Sequence, residues 1–164
     1  MADLYLLQTR DMIIRGITKT YTFDPDDTKA AKLLGHGIGV SGGALSGRMV
    51  FTLDEIDRWR EKEPETPLIL VRSDTVPDDI REIHASDGLF TARGGLTSHA
   101  AVVAHRLGKT CVVGCNGLVC NEKKKECRYS DTILKSGGYV SIDAHHGAVY
   151  LGKMRIQETQ GTTD

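Results

Sequence analysis

Between Thr91 and Gly108 the chain reads Thr-Ala-Arg-Gly-Gly-Leu-Thr-Ser-His-Ala-Ala-Val-Val-Ala-His-Arg-Leu-Gly. No other stretch restricts the fold as much. Gly94 and Gly95 form a loop. Thr97 or Ser98 is a good helix N-cap, and no breaker follows until Gly108. Ala100, Val103, Ala104 and Leu107 fall at i, i+3, i+4 and i+7, which gives a helix one apolar stripe. Gly108 suits the left-handed residue that closes such a helix. His99 then stands in the first turn, where backbone N–H groups are free and the helix dipole is positive. A phosphate carried on its imidazole would lie in a ready-made anion site. A histidine near a helix start is also an ordinary surface or capping residue, and from spacing alone that reading stands beside the first. The Gly-Gly pair and the two adjacent hydroxyls favour the anion.

The chain has 164 residues, enough for one domain with a core. Hydrophobic residues at 40% and charged residues at 26% are ordinary for a soluble globular protein. A net charge of -1 and 5% aromatics give no electrostatic or base-stacking case for nucleic acid, and none for an acidic membrane. No apolar run approaches the ~20 residues of a membrane helix. Met1 to Leu7 lacks the basic start and apolar core of a signal peptide, so a cytoplasmic location is expected. Cys111, Cys115, Cys120 and Cys127 are spaced C-x3-C-x4-C-x6-C, unlike the paired C-x2-C of a zinc ribbon. Cys111 reads as a small core hydrophobe. Neither a metal site nor a disulfide is expected of this spacing in a reducing compartment. His145 and His146 are joined by no carboxylate or cysteine pattern, and no metal site is expected there either.

The run Gly94-Gly95-Leu96-Thr97-Ser98-His99-Ala100-Ala101-Val102-Val103-Ala104 resembles the phosphohistidine motif of the swivelling (mobile) domain of phosphoenolpyruvate-utilising enzymes. The form Thr-Ser-His-Ala-Ala-Val-Val-Ala, followed by Gly108-Lys109-Thr110-Cys111-Val112-Val113-Gly114-Cys115, is most similar to that of the pyruvate, phosphate dikinases. Weaker similarity runs from about Gly37 to Gly152. The resemblance implies a covalent role for His99: it accepts a phosphoryl group from ATP, by way of a pyrophosphoryl-histidine, and delivers it to pyruvate to make phosphoenolpyruvate. It implies no cofactor on this domain, with ATP and Mg used by a longer parent enzyme. It also implies two partners, an ATP-binding domain and a pyruvate/phosphoenolpyruvate barrel domain, in cis or in trans. The chain would then be the central domain of a phosphotransferase, incomplete for net turnover alone. Thr97 and Ser98, with N–H groups of Gly94 and Gly95, are expected to hold the transferring oxygens, and Arg93 to add charge. In plant dikinases the threonine two before the histidine is a regulatory phosphorylation site, and Thr97 stands there. The same fold serves phosphoenolpyruvate synthases, other dikinases and sugar-transport phosphocarriers, whose acceptors differ. A non-catalytic stand-alone module is the third reading.

The resemblance implies an α/β fold, a compact β/β/α domain of several strands with packed helices. Pattern alone gives mixed α and β with glycine-rich turns. Residues 1–34 read as a remnant of a preceding ATP-binding domain plus a linker. Within them Leu4 to Arg10 is a short strand, and Gln8 and Arg10 match the family's Gln-x-Arg pair near the nucleotide; an extra edge strand is an equal reading. Asp24 to Asp27 is a turn, with a short helix over Thr28 to Leu34. Residues 35–156 form the swivelling domain, and 157–164 a frayed, disordered tail. Gly37 to Gly42 matches G-x-G-x-x-G, but more glycines and a β-rich run follow, so strand, turn and strand is the reading rather than a dinucleotide site. Thr52 to Glu55 is a capping box, with Phe51 and Ile56 placed as its staple and Trp59 as core. Pro67 to Arg72 has strand length, and a helix starting near Pro77 turns Ile80, Ile83 and Ala85 inward. Asn121 to Glu126 is a solvated hairpin tip. Tyr139 to Asp143 and Ala148 to Leu151 form a further hairpin.

Overall fold

The structure is a computed structural model that describes residues 17–162 apart from 76 and 130. Strand β1 is Ile17–Phe23, helix α1 Pro25–Ala30, β2 Lys32–His36, β3 Ile38–Ser41 and β4 Ala44–Val50. Helix α2, Leu53–Lys62, leads to β5, Leu68–Arg72. A 3-10 turn at Pro77–Asp79 opens α3, Ile80–Ala85, before β6, Gly88–Thr91. Helix α4, His99–Leu107, precedes β7, Thr110–Val113. Six strands complete the described chain: β8 Leu118–Asn121, β9 Glu126–Tyr129, β10 Thr132–Lys135, β11 Tyr139–Asp143, β12 Ala148–Leu151 and β13 Ile156–Thr162.

Leu68, Ile69, Leu70 and Val71 are each fully buried. Successive strand residues point to opposite faces, so such a run needs cover on both sides. β5 has it. The main sheet runs β2-β12-β11-β4-β5-β6-β7-β3, and β4 to β7 are parallel. On one face Leu68 packs with Val50 and Ile56 of α2, and Leu70 with Leu89, Ile83 of α3 and the alanines of α4. On the other, Ile69 and Val71 join Met49, Phe51, Phe90, Val112, Val140, Ile142 and Val149. That face is closed by a second sheet, β10-β9-β8, through Leu118, Cys127, Tyr129 and Leu134. The layers are therefore sheet, sheet and helices, the β/β/α architecture expected. Gly37 to Gly42 enters β3, and the next strand starts at Ala44, so that stretch is strand, turn and strand.

Local chemistry moves several boundaries. The first helix starts at Pro25 rather than Thr28. Asp24 Oδ1 accepts from the N–H groups of Asp26 (2.9 Å) and Asp27 (3.4 Å), and proline takes the first helical position, where it lacks nothing. Lys32 to His36, read partly as helix and linker, is a strand against β12 of the main sheet. Phe23 is buried with Ala44 and Met154, so the segment just before residue 35 lies against the domain. The expected strand Leu4 to Arg10, with Gln8 and Arg10, lies outside the described residues. The tail from Gln157, expected to fray, is instead β13, paired antiparallel with β1 from Ile17↔Thr162 to Phe23↔Ile156. A ladder bonds backbone to backbone, so polar side chains do not prevent it. Arg155 anchors its start: the guanidinium and N–H both donate to the Asp27 carboxylate, and this holds the Asp27 pKa below its ordinary value.

Thr52 caps α2, its Oγ1 accepting from Glu55 N–H at 3.2 Å. Glu55 reaches back to the Phe51 N–H and the Thr52 hydroxyl, one residue further than the standard box. Trp59 is half-buried rather than core. It lies at the end of the apolar stripe, and the Arg48 guanidinium covers it, 4.2 Å from the ring centroid. Ile83 is buried but Ile80 is 44% exposed, because a six-residue helix turns few positions inward.

Candidate functional site

Parallel neighbours send their following loops out of the same edge of a sheet, and that carboxyl edge is where open α/β sheets form ligand sites. β5 and β6 are such neighbours, paired Arg72↔Thr91 at their ends. The loops 73–79 and 92–98 therefore meet. Arg93 N–H donates to the Ser73 carbonyl at 2.9 Å and ties one to the other. The Thr91 hydroxyl donates to the Arg93 carbonyl at 2.6 Å, and the Thr91 carbonyl accepts from Cys115 N–H at 2.9 Å. Gly94 has φ +111, and a Cβ there would meet Ser98 Oγ at 3.0 Å. Gly114, with φ +64, packs from the other side: a Cβ on it would stand 2.7 Å from the Gly94 carbonyl oxygen. Glycine is required at both, and the loop is held by backbone on two sides.

Ser98, not Thr97, caps α4. Its Oγ accepts from Ala101 N–H at 3.3 Å and donates to the Gly95 carbonyl at 2.7 Å. Its hydroxyl hydrogen is thus committed inside the loop, where sequence reasoning assigned it to a ligand. Replacing Ser98 with alanine is expected to lower stability by about 1 kcal/mol, the ordinary worth of a cap. A urea midpoint measures it; a midpoint equal to that of the parent would contradict the capping role. Thr97, Leu96 and Arg93 are exposed around the helix start, and Gly95 is half-exposed. Ala100, Ala101 and Ala104 are the buried stripe of α4, while Val103 and Leu107 are half-buried. Gly108 closes the helix at φ 69.

His99 is the first residue of α4 and is half-buried. Its Nδ1 lies 3.2 Å from Oγ1 of Thr75, a residue only 6% exposed. Thr75 is set in turn by Asp74, whose carboxylate accepts the Thr75 N–H at 2.9 Å. The Arg72 to Asp79 ion pair, 3.4 Å, spans the same loop. A neutral imidazole donates from one nitrogen and accepts at the other. In the tautomer whose Nδ1–H donates to Thr75, the Nε2 lone pair is left free. The geometry thus gathers Gly94, Gly95, Thr97, Ser98 and His99 at one helix start, adds Arg93 at the rim, and adds Thr75, which sequence reading missed. The only available signal was the hydroxyl-rich run Ser73-Asp74-Thr75 directly after an apolar strand. Among the described residues no group of three His, Cys, Asp or Glu is placed to hold a metal ion. N–H groups and hydroxyls at a helix start are the donor set of an anion site.

The chain belongs to the family described as PEP-utilising enzyme, mobile domain, whose profile matches residues 64–147. It is similar to part of several pyruvate, phosphate dikinases. It is 41% identical over 137 residues to the pyruvate, phosphate dikinase of Clostridium symbiosum, covering 84% of this chain and 15% of that one. Identity to pyruvate, phosphate dikinase 2 of Oryza sativa subsp. japonica is 39% over 134 residues, 82% of this chain and 15% of the relative. With the pyruvate, phosphate dikinase of Rickettsia bellii it is 42% over 131 residues, 80% and 15%. The chain spans about 15% of the length of these curated relatives. Among the described residues no helix is long and apolar enough to cross a membrane.

Proposed function

We propose that the chain is a phosphohistidine carrier of a pyruvate, phosphate dikinase-like phosphotransferase, with His99 as its catalytic residue. The observation that supports this most is the division of the ring: Nδ1 held by Thr75 and Nε2 free, at the positive end of α4. Nε2 attacks phosphorus, the new N–P bond forms as the P–O bond to the donor breaks, and the proton stays on Nδ1, hydrogen-bonded to Thr75 Oγ1. The second transfer breaks the N–P bond as an enolate oxygen of pyruvate attacks phosphorus, and the ring returns neutral. One difficult transfer is thereby divided into two. N–H groups of the helix start and of the Gly94-Gly95 turn receive the phosphoryl oxygens, and the exposed Thr97 and Arg93 border them. Thr97 also offers a free approach to a regulating kinase; a phosphate there would repel the incoming one. ATP and Mg belong to the donor domain, and the acceptor to the barrel domain, with which this domain docks in turn.

Supplying ATP-binding and barrel domains in trans with labelled ATP is expected to place acid-labile phosphate on His99, mapped by mass spectrometry. Label on another histidine would overturn the site, and its absence under every partner set would favour the non-catalytic module. Thr75→Val is expected to slow phosphorylation about tenfold, the worth of roughly 1.5 kcal/mol for a hydrogen bond to a ring that gains charge. Thr75→Ser is expected to restore the rate, and equal rates for the valine and serine chains would remove Thr75 from the mechanism.

A further inference from the structure

Cys120 and Cys127 face one another directly across the antiparallel β8–β9 ladder. Their Sγ atoms lie 2.8 Å apart, against about 2.05 Å in a disulfide, so closure needs a movement of about 0.8 Å. The two sulfurs are unlike. Cys127 is 1% exposed, whereas Cys120 is half-buried. The Cys127 thiol donates to Cys120 Sγ, and the neighbouring Ser73 hydroxyl and Arg72 guanidinium favour the thiolate; against burial and Glu122, these hold the Cys120 pKa below its ordinary value. The same thiol contact pushes Cys127 upward. The pair thus sets a half-buried thiol of lowered pKa beside a buried one that can resolve it, the arrangement of a redox-responsive site. Cys111 and Cys115 are of another kind: both are buried, which pushes their thiols up to about 12 and about 11.

We propose that Cys120 and Cys127 form a reversible disulfide by exchange with a low-molecular-weight disulfide of the glutathione class. The Cys120 thiolate attacks one sulfur of the small disulfide, and its S–S bond breaks to release one thiolate. Cys127, losing its proton, then attacks Cys120 Sγ and expels the second small thiolate. The small disulfide is reduced to two thiols, which carry the two protons given up by the cysteines, and the protein pair is oxidised. The site adjoins the loop that carries His99 through Ser73, which lies near Cys120 and whose carbonyl holds Arg93 N–H.

The chain equilibrated with mixtures of reduced and oxidised glutathione, alkylated and digested, tests this directly. Lys123, Lys124 and Lys125 lie between the two cysteines, so trypsin separates them and a cross-link joins two peptides, located by fragmentation. The expected result is loss of two of the four thiols and a Cys120–Cys127 link, reversed by excess reduced glutathione. Cys127→Ser is expected to trap glutathione on Cys120, and Cys120→Ser to leave Cys127 unmodified. Four alkylatable thiols at every ratio, or a link through Cys111 or Cys115, would overturn the proposal.

Discussion

A His99→Asn chain is expected to acquire no acid-labile phosphate from its donor domain, while its urea midpoint stays within about 0.5 kcal/mol of the parent. The two halves of this expectation come from different features. Asparagine keeps a polar group near the place of Nδ1, within reach of Thr75, and its helix propensity is close to that of histidine. The half-buried first position of α4 tolerates the change in volume. What is lost is the nucleophilic ring nitrogen, for which an amide is no substitute. Label above about a hundredth of the wild-type level, a loss worth roughly 2.7 kcal/mol of barrier, would mean that a second acceptor exists. A large fall in the midpoint would mean that His99 acts in folding.

Phe90→Ala is expected to cost about 3–5 kcal/mol, as large-to-small changes of buried aromatics do. Phe90 is fully buried on β6, between β5 and β7, and faces the three-stranded layer with Val112, Leu118 and Tyr129. A domain of this size holds only about 5–15 kcal/mol in all, so the loss should be visible as a lower urea midpoint with an unchanged slope. A change below about 1.5 kcal/mol would show that the two sheets do not close on Phe90. Phe90 also stands next to Thr91, whose hydroxyl holds the Arg93 carbonyl at the start of the site loop and whose carbonyl accepts from Cys115 N–H. Weakened packing there is expected to slow phosphorylation of His99 beyond the fraction unfolded.

Features written in consecutive residues were legible before the structure. The apolar run Pro67 to Arg72 has strand length in the sequence and is a strand, Leu68–Arg72, in the structure, covered by a different layer on each face. The cap, stripe and closing glycine of α4 fall where spacing put them, although the hydroxyl that caps is Ser98. Thr75 was not legible, because its meeting with His99 depends on β5 and β6 being parallel neighbours, a fact about the sheet that no local pattern carries. The strand Ile156–Thr162 was hidden for the opposite reason: backbone groups alone form its ladder, and composition reports only side chains. Asp24 was read as part of a turn because its role as cap depends on where the carboxylate points.

The seven-pair ribbon of β1 and β13 brings Ile17 beside Thr162. The two limits of the described chain therefore sit side by side, as two straps sewn to the same buckle, and a pull on either is borne by the same ladder.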